Sequence, residues 1–220
     1  MKILVTGAKG FIGKNLITEL KNQKYTDIYE YDMESTLEDL DRYSKDCEFV
    51  FHLAGVNRPK EQKEFLEGNF GFTSVLLDNL KKYNNKAPIM LASSIQAVLD
   101  NPYGISKKAG EDLLFGYGNE TGAKVLIYRF PNVFGKWCRP NYNSAVATFS
   151  YNIANDLPIT VNDRNVVMNL IYIDDLVKEL IQALKGNENK KDTFCYVEPV
   201  HTVRLGEIVD GHVAVLAAEP

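Results

Sequence analysis

The stretch "ILVTGAKGFIG", residues 3 to 13, limits what this chain can fold into more than any other. A short apolar run leads directly into Gly7, Gly10 and Gly13, spaced G-x-x-G-x-x-G, and the pattern then turns helical over "FIGKNLITELKNQ". Glycine takes up dihedrals that cost other residues dearly and lets backbone approach a pyrophosphate. The start of a helix adds unpaired N–H groups and a partial positive charge. Strand, turn and helix in this order at the head of an α/β chain therefore predict a dinucleotide site. A tight turn without a ligand is the bland alternative. Asp32 ends the next strand candidate, "DIYEYD", about 20 residues past the glycines, where an acid can accept from ribose hydroxyls and repel a 2′-phosphate. The bland alternative is that it simply caps or solvates the strand end. No arginine stands nearby, although Lys9 lies in the turn, so the local chemistry leans to NAD over NADP.

The rest of the chain repeats the alternation. "CEFVFHLAG", "APIMLASS" and "KVLIYRF" are apolar runs, and "FTSVLLDNLKKY" and a segment starting near Tyr103 have helical spacing. Strands alternating with helices indicate parallel βαβ units, and apolar runs without polar alternation fit strands buried on both faces. The expectation is an α/β, doubly wound parallel sheet over residues 1–135. A smaller substrate-side region, interwoven with it, follows over 136–220. There the pattern predicts a helix near 144–155, a turn at "NDLP", a short strand, the strand "NLIYI" and a helix at 174–185. Net charge is -4 over 220 residues, which gives no electrostatic argument for nucleic acid. No apolar run approaches the length that crosses a membrane. Cys47, Cys138 and Cys195 are odd in number and far apart, as free thiols of a reducing cytoplasm would be. His52, His201 and His212 have no ligand spacing, so no metal site is expected.

The stretch "NPYGISKKAGEDLL" enters a helix through Pro102 and sets Tyr103 and Lys107 on one face. A cation near a phenol favours phenolate and lowers its pKa towards the working range. Such a tyrosine could deliver or take up a proton. A packed tyrosine beside a solvated lysine would show the same spacing.

Taken in order, "TGAKGFIG", "HLAGVNRP", Asn69 in "GNFGFT", "LASSIQA", "NPYGISK" and "YRFPNVFGKW" resemble the extended short-chain dehydrogenase/reductases, over essentially the whole chain. That family includes nucleotide-sugar epimerases, dehydratases and reductases. "FPNVFGKWCRPNYNSAVATF" and "ITVNDRNV" resemble, more narrowly, the capsular polysaccharide reductases, which act on a UDP-linked 2-acetamido-2,6-dideoxy-4-keto hexose. The resemblance implies a Rossmann-type core binding NAD(P)H, with NADPH favoured among the capsular relatives. Tyr103 is then the general acid/base, and Lys107 holds the nicotinamide ribose. Ser94 bonds the reacting carbonyl oxygen, with Ser93 the fallback if the register slips by one. Asn69 supports the site through its helix backbone. Cofactor contacts fall to Gly7, Lys9, Gly10, Phe11, Ile12, Gly13, Asp32, Leu53, Ala54, Gly55, Ser93, Tyr103, Lys107, Phe130 and Asn132. Substrate contacts fall to Arg58, Ser94, Ile95, Gln96, Asn132, Trp137, Arg139 and Asn141. Arginine suits a diphosphate and an aromatic suits a sugar or base face. Trp137 could instead be core, and Arg129 in "RFPNVFG" could be a structural ion pair.

Two departures accompany the resemblance. Where many epimerases of the family carry arginine and aspartate ahead of the late aromatic strand, this chain has Met168 and Asn169, leaving Arg139 or Arg164 to meet the diphosphate. The related capsular enzymes continue into a cupin barrel, whereas this sequence departs from the family helix at Gly211 and stops at Pro220. Either a truncated chain or an altered natural one is therefore expected, and both leave the substrate pocket incompletely covered. The resemblance also implies a homodimer, with Leu77, Leu113 and Phe115 as apolar area. Nucleotide-sugar epimerase or dehydratase, or a non-catalytic dinucleotide-binding module, are the competing readings.

Overall fold

The computed structural model describes residues 1–217, with side chains described as far as Gly211. Seven strands form the main sheet: β1 (Ile3–Thr6), β2 (Ile28–Tyr31), β3 (Phe49–His52), β4 (Ile89–Ser94), β5 (Val125–Phe130), β8 (Lys190–Lys191) and β9 (Phe194–Cys195). Their order is β2-β1-β3-β4-β5-β9-β8. All pairings are parallel except that of β8 with β9. The numbering runs on through β6 (Asn132–Phe134), β7 (Val167–Tyr172) and β10 (His201–Arg204), which make a second sheet in the order β10-β7-β6.

Burial on both faces explains why the first strands read as unbroken apolar runs. Ile3 and Val5 of β1 point into a core closed by α1 (Phe11–Asn22) and α7 (Ile173–Leu184), through Leu16, Leu20, Leu176 and Leu180. Leu4, between them, points to the other face, where α2 (Leu37–Asp46), α4 (Phe72–Lys82) and α5 (Pro102–Thr121) supply Leu40, Leu76, Leu80 and Leu114. Period-two alternation thus feeds two separate cores, as a doubly wound sheet requires. A third, smaller core joins Phe149 of α6 (Ala145–Ala154) to Leu170 of β7 and to Ile208 and Val209 of α8 (Leu205–Ala217). No helix among the described residues is long and apolar enough to cross a membrane.

Several expectations need correction. No strand forms after the "NDLP" turn; the chain from 157 to 162 is irregular. Ile159 and Val161 pack individually against the third core, so their alternation reflects burial without a ladder partner. Helix α8 runs on through Gly211, the position at which the sequence leaves the family pattern. Leu77 is 3% exposed and belongs to the core, while Leu113 and Phe115 pack partly against it. Leu77 therefore offers no area to a second subunit.

Candidate active site

The carboxyl ends of β1, β3, β4 and β5 lie side by side, and the loops leaving them converge. Open α/β sheets bind ligands at this edge. The glycine turn follows β1. Gly7 has φ +70° and touches backbone: a Cβ there would sit 2.8 Å from the Ala54 N. At Gly13 a Cβ would lie 2.2 Å from the Gly7 carbonyl. These two glycines let the turn, α1 and the Leu53–Ala54 segment close on one another. Gly10 is different. It caps α1 without a side-chain bond, and an added Cβ would meet only the Gly7 peptide. Among the described hydrogen bonds, no side chain caps the first-turn N–H groups of α1, which include those of Phe11 and Ile12. That arrangement fits a dinucleotide pyrophosphate.

At the end of β2, Asp32 reaches back to this turn. Its carboxylate accepts from the Lys9 N–H at 2.7 Å and from the Met33 N–H at 2.8 Å. The Lys9 ammonium pairs with Glu34. A ribose hydroxyl arriving at the turn would meet two carboxylates and a lysine already neutralised.

Tyr103 opens α5. Asn101 caps the helix by accepting from the Gly104 N–H at 2.8 Å, and Pro102 fills the first turn. Lys107, one turn on, is buried, and its Nζ donates to the Ala92 carbonyl at 3.1 Å. The same Nζ lies 5.9 Å from the centre of the Tyr103 ring. Ser94, the last residue of β4, stands beside the Tyr103 phenol, close enough to favour its ionised form. Its own Oγ accepts from the Gln96 N–H at 3.2 Å, which starts a 3-10 turn over Ile95–Val98 and leaves Ile95 and Gln96 exposed.

Asn69 occupies a π-helical turn, Glu67–Gly71, and is 5% exposed. Its amide makes a reciprocal pair with the Val56 backbone, donating to the carbonyl at 2.9 Å and accepting from the N–H at 3.0 Å. It also donates to the Ser106 Oγ at 3.0 Å, and Ser106 donates to the Tyr103 carbonyl at 2.7 Å. Asn69 thus ties the loop after β3 to the helix of the Tyr–Lys pair. Gly55 packs between them: a Cβ there would lie 2.6 Å from the Asn69 Oδ1 and 3.0 Å from the Lys107 Nζ.

The electrostatics correct one expectation. Burial pushes the Tyr103 phenol above its ordinary value, and the neighbouring Ser94 hydroxyl only partly offsets this. The Lys107 ammonium is turned onto the Ala92 carbonyl and is itself depressed, by burial against the opposing pull of Glu111, to about 8. Burial and the neighbouring Lys107 charge depress His52 to about 3, so it stays neutral between Thr6 and Thr73, its ring nitrogens 2.8 Å and 2.9 Å from their hydroxyls.

Other expected residues separate. Ser93 donates to Glu111 at 2.6 Å, and Arg129 grips the same fully buried carboxylate at 2.6 Å and 2.9 Å. Arg129 is therefore a structural ion pair, and the Ser93 hydroxyl is engaged within it. Trp137 is 55% exposed, so it is not core. It lines a groove of about 660 Å³ with Ala8, Lys9, Lys14, Ile17, Thr18 and Glu30, alongside α1. Arg164 is held by both oxygens of Asp210. Phe130 is buried at the end of β5, and Asn132 is exposed at the start of β6. Arg58 and Arg139 come together over Tyr142, with Asn141 next to it in the same loop. Sequence reasoning missed Ser106, Glu111 and Tyr142. Only Glu111 carried a signal, four residues past Lys107 on one helix face.

A Rossmann-type sheet with this turn and a Ser–Tyr–Lys group at its carboxyl edge defines a nucleotide-dependent enzyme class. The profile of the NAD dependent epimerase/dehydratase family matches residues 3–195, and the chain belongs to that family. It is 42% identical over 210 residues to the UDP-2-acetamido-2,6-beta-L-arabino-hexul-4-ose reductase of Pseudomonas aeruginosa, covering 96% of this chain and 56% of that protein. The capsular polysaccharide assembling protein CapF of Staphylococcus aureus superposes with TM-score 0.87 at 46% identity, over 96% of this chain and 56% of CapF. This chain thus spans little more than half the length of either relative. The UDP-glucuronic acid 4-epimerase of Bacillus cereus, solved with NAD, shares the fold at TM-score 0.86 and 21% identity, over 100% of this chain and 85% of the epimerase.

Proposed function

We propose that this chain reduces a UDP-linked 4-keto-6-deoxy amino sugar with NAD(P)H, on the way to a capsular or surface polysaccharide. One observation carries the reading: the Ser94 hydroxyl stands beside the Tyr103 phenol at the carboxyl end of β4, with the buried Lys107 one helical turn along α5. The 42% identity to a protein named as such a reductase supports the substrate class.

Bound at the glycine turn, the nicotinamide cofactor supplies the hydride. The chain supplies position and protons. Ser94 and Tyr103 can both donate to one carbonyl oxygen, where negative charge develops as the carbon is reduced. Tyr103 then gives its proton to the new alkoxide. The raised phenol pKa suits this direction, because the donor stays protonated through the neutral range. Lys107 is cationic below about pH 8 and would hold the ribose hydroxyls of the cofactor. Asn69 and Gly55 fix the backbone that lets Lys107 reach them. In a dehydratase an acid would be expected beside Ser94, and here Ile95 and Gln96 follow it.

The finer features of this proposal are a homodimer through α4 and α5, where Val75 and Ile105 are exposed apolar residues. The test is oxidation of NADH or NADPH by the purified chain with a panel of UDP-4-keto sugars, beside epimerisation of UDP-glucuronic acid. Reduction without epimerisation is expected. Epimerisation without net cofactor oxidation would overturn the reductase reading, and a monomer by light scattering would overturn the dimer.

A further inference from the structure

His52 ends β3 and takes no part in the hydride or proton steps. It is 1% exposed, and its two hydroxyl partners, Thr6 and Thr73, are fully buried. Thr6 stands beside it in the sheet register, at the end of β1 and one residue before Gly7. Thr73 reaches its other ring nitrogen from the first turn of α4.

Counting protons fixes the direction of every bond in this string. The Thr73 hydroxyl has one proton and gives it to the Asn69 carbonyl at 2.5 Å. It therefore accepts from the His52 Nε2, 2.9 Å away, and Nε2 carries the imidazole proton. Burial keeps the ring neutral, which leaves Nδ1 bare. The Thr6 hydroxyl, 2.8 Å from Nδ1, donates to it, and its lone pair takes the Ala54 N–H at 3.2 Å. All four bonds thus point one way, from Ala54, which packs on Gly7, to the Asn69 carbonyl. The Asn69 side chain carries the connection on, through Ser106, to the Tyr103 carbonyl at the start of α5.

The ends of this string are the ends of a dinucleotide site. One is the glycine turn, for the pyrophosphate, and the other is the helix of Lys107, for the nicotinamide ribose. A ligand that touches both gains its second contact cheaply only where their separation matches its own length. Apolar packing between the two is non-directional, whereas hydrogen bonds are directional. We infer that His52, held as its Nε2–H tautomer, is a positioning residue that sets the glycine turn and α5 at the spacing one dinucleotide needs. The inference deepens the proposed function and rests on its placing of the nicotinamide half at Lys107.

Titration of the full chain with ADP, which fills only the turn, and with NADPH, which must also reach Lys107, tests this joint. Thr73→Val keeps the side-chain shape and removes the hydroxyl, and His52→Gln removes the ring. Each should weaken NADPH about tenfold, the scale of one or two buried hydrogen bonds, and leave ADP unchanged. Thr73→Ser restores the hydroxyl and should return NADPH to parent affinity. Nitrogen NMR of the parent protein with isotope-labelled histidine, His201 and His212 being assigned by substitution, reads the tautomer directly. The His52 proton should sit on Nε2 and the ring stay neutral from about pH 5 to 8. A proton on Nδ1, or a ring that gains charge in that range, would overturn the inference even if no variant folds. An unchanged NADPH-to-ADP ratio in both variants, whatever their Tm, would reduce His52 to core packing, and so would equal losses of the two ligands. Lys107→Met separates the two readings. If it weakens NADPH against ADP and the His52 and Thr73 variants do not, the joint falls alone. If they do and it does not, the joint stands and the role of Lys107 falls.

Discussion

Replacing Gly55 by alanine puts one methyl group into the joint of the site. The new Cβ would stand 2.6 Å from the Asn69 Oδ1 and 3.0 Å from the Lys107 Nζ. Asn69 cannot swing aside freely, because its amide is held at both ends by Val56 and also by Ser106. It must withdraw by roughly 0.8 Å to reach ordinary contact. Bonds now at 2.9 Å and 3.0 Å would then stretch beyond hydrogen-bond range. Losing the reciprocal pair costs about 2 kcal/mol, at about 1 kcal/mol for each neutral bond. In a chain of this size that lowers Tm by about 4–8 °C. The Lys107 ammonium must also yield, and misplacement of this order cuts turnover by about 10- to 100-fold. Thermal unfolding and NAD(P)H oxidation measure both effects. Gly116→Ala in α5 is the control, because a Cβ there meets nothing within 4 Å and should stabilise the helix by about 0.5–1 kcal/mol. A Gly55→Ala protein with parent Tm and parent turnover would refute the claim that Asn69, Gly55 and Lys107 form one packed unit.

Glu111→Gln should destabilise by about 3 kcal/mol or more, since it strips the Arg129 guanidinium of a fully buried partner; a Tm within a degree of the parent would contradict this. Lys107 carries a folded-state pKa depressed to about 8, so its desolvation cost is fully present below that pH and is relieved as pH rises towards the ordinary lysine value. Lys107→Met should therefore raise Tm at pH 7 while abolishing reduction, and a lower Tm would argue against a net cost of burying the charge. For the same reason, cofactor affinity of the parent should fall as pH passes upward through about 8, and Lys107→Met should flatten that profile. Asp32→Ala should shift the NADH-to-NADPH preference towards NADPH, measured as a ratio of dissociation constants; an unchanged ratio would place Asp32 away from the ribose.

The main sheet was legible because β1, β3, β4 and β5 are buried on both faces and keep unbroken apolar runs. The glycine turn was legible because Gly7 and Gly13 answer to backbone closeness, which leaves few other residues possible. Strands β6, β8, β9 and β10 were not, since they are short and mostly not buried on both faces, and β6, β9 and β10 also depend on partners far along the chain. Tyr103 and Lys107 were visible as a spacing, yet their electrostatics were not. Burial decides both pKa directions, and burial comes from Phe65, Ala92 and the Asn69 loop meeting α5 in space. Trp137 was visible as an aromatic in the family string, and its position beside α1 was not, because that depends on the Lys136 carbonyl being held by Asn15 of that helix at 3.1 Å.

The central claim is that Tyr103 gives a proton to the oxygen of a reduced carbonyl. Single-turnover reduction of a UDP-linked 4-keto sugar, followed by the loss of nicotinamide absorbance, tests it in the parent and in Tyr103→Phe. The phenylalanine protein should bind NAD(P)H with parent affinity and reduce the sugar about 10²- to 10⁴-fold more slowly, the usual scale of general acid catalysis. Reduction at the parent rate would make the Tyr103–Lys107 pair an ordinary buried helix face and remove the basis for the proposed chemistry.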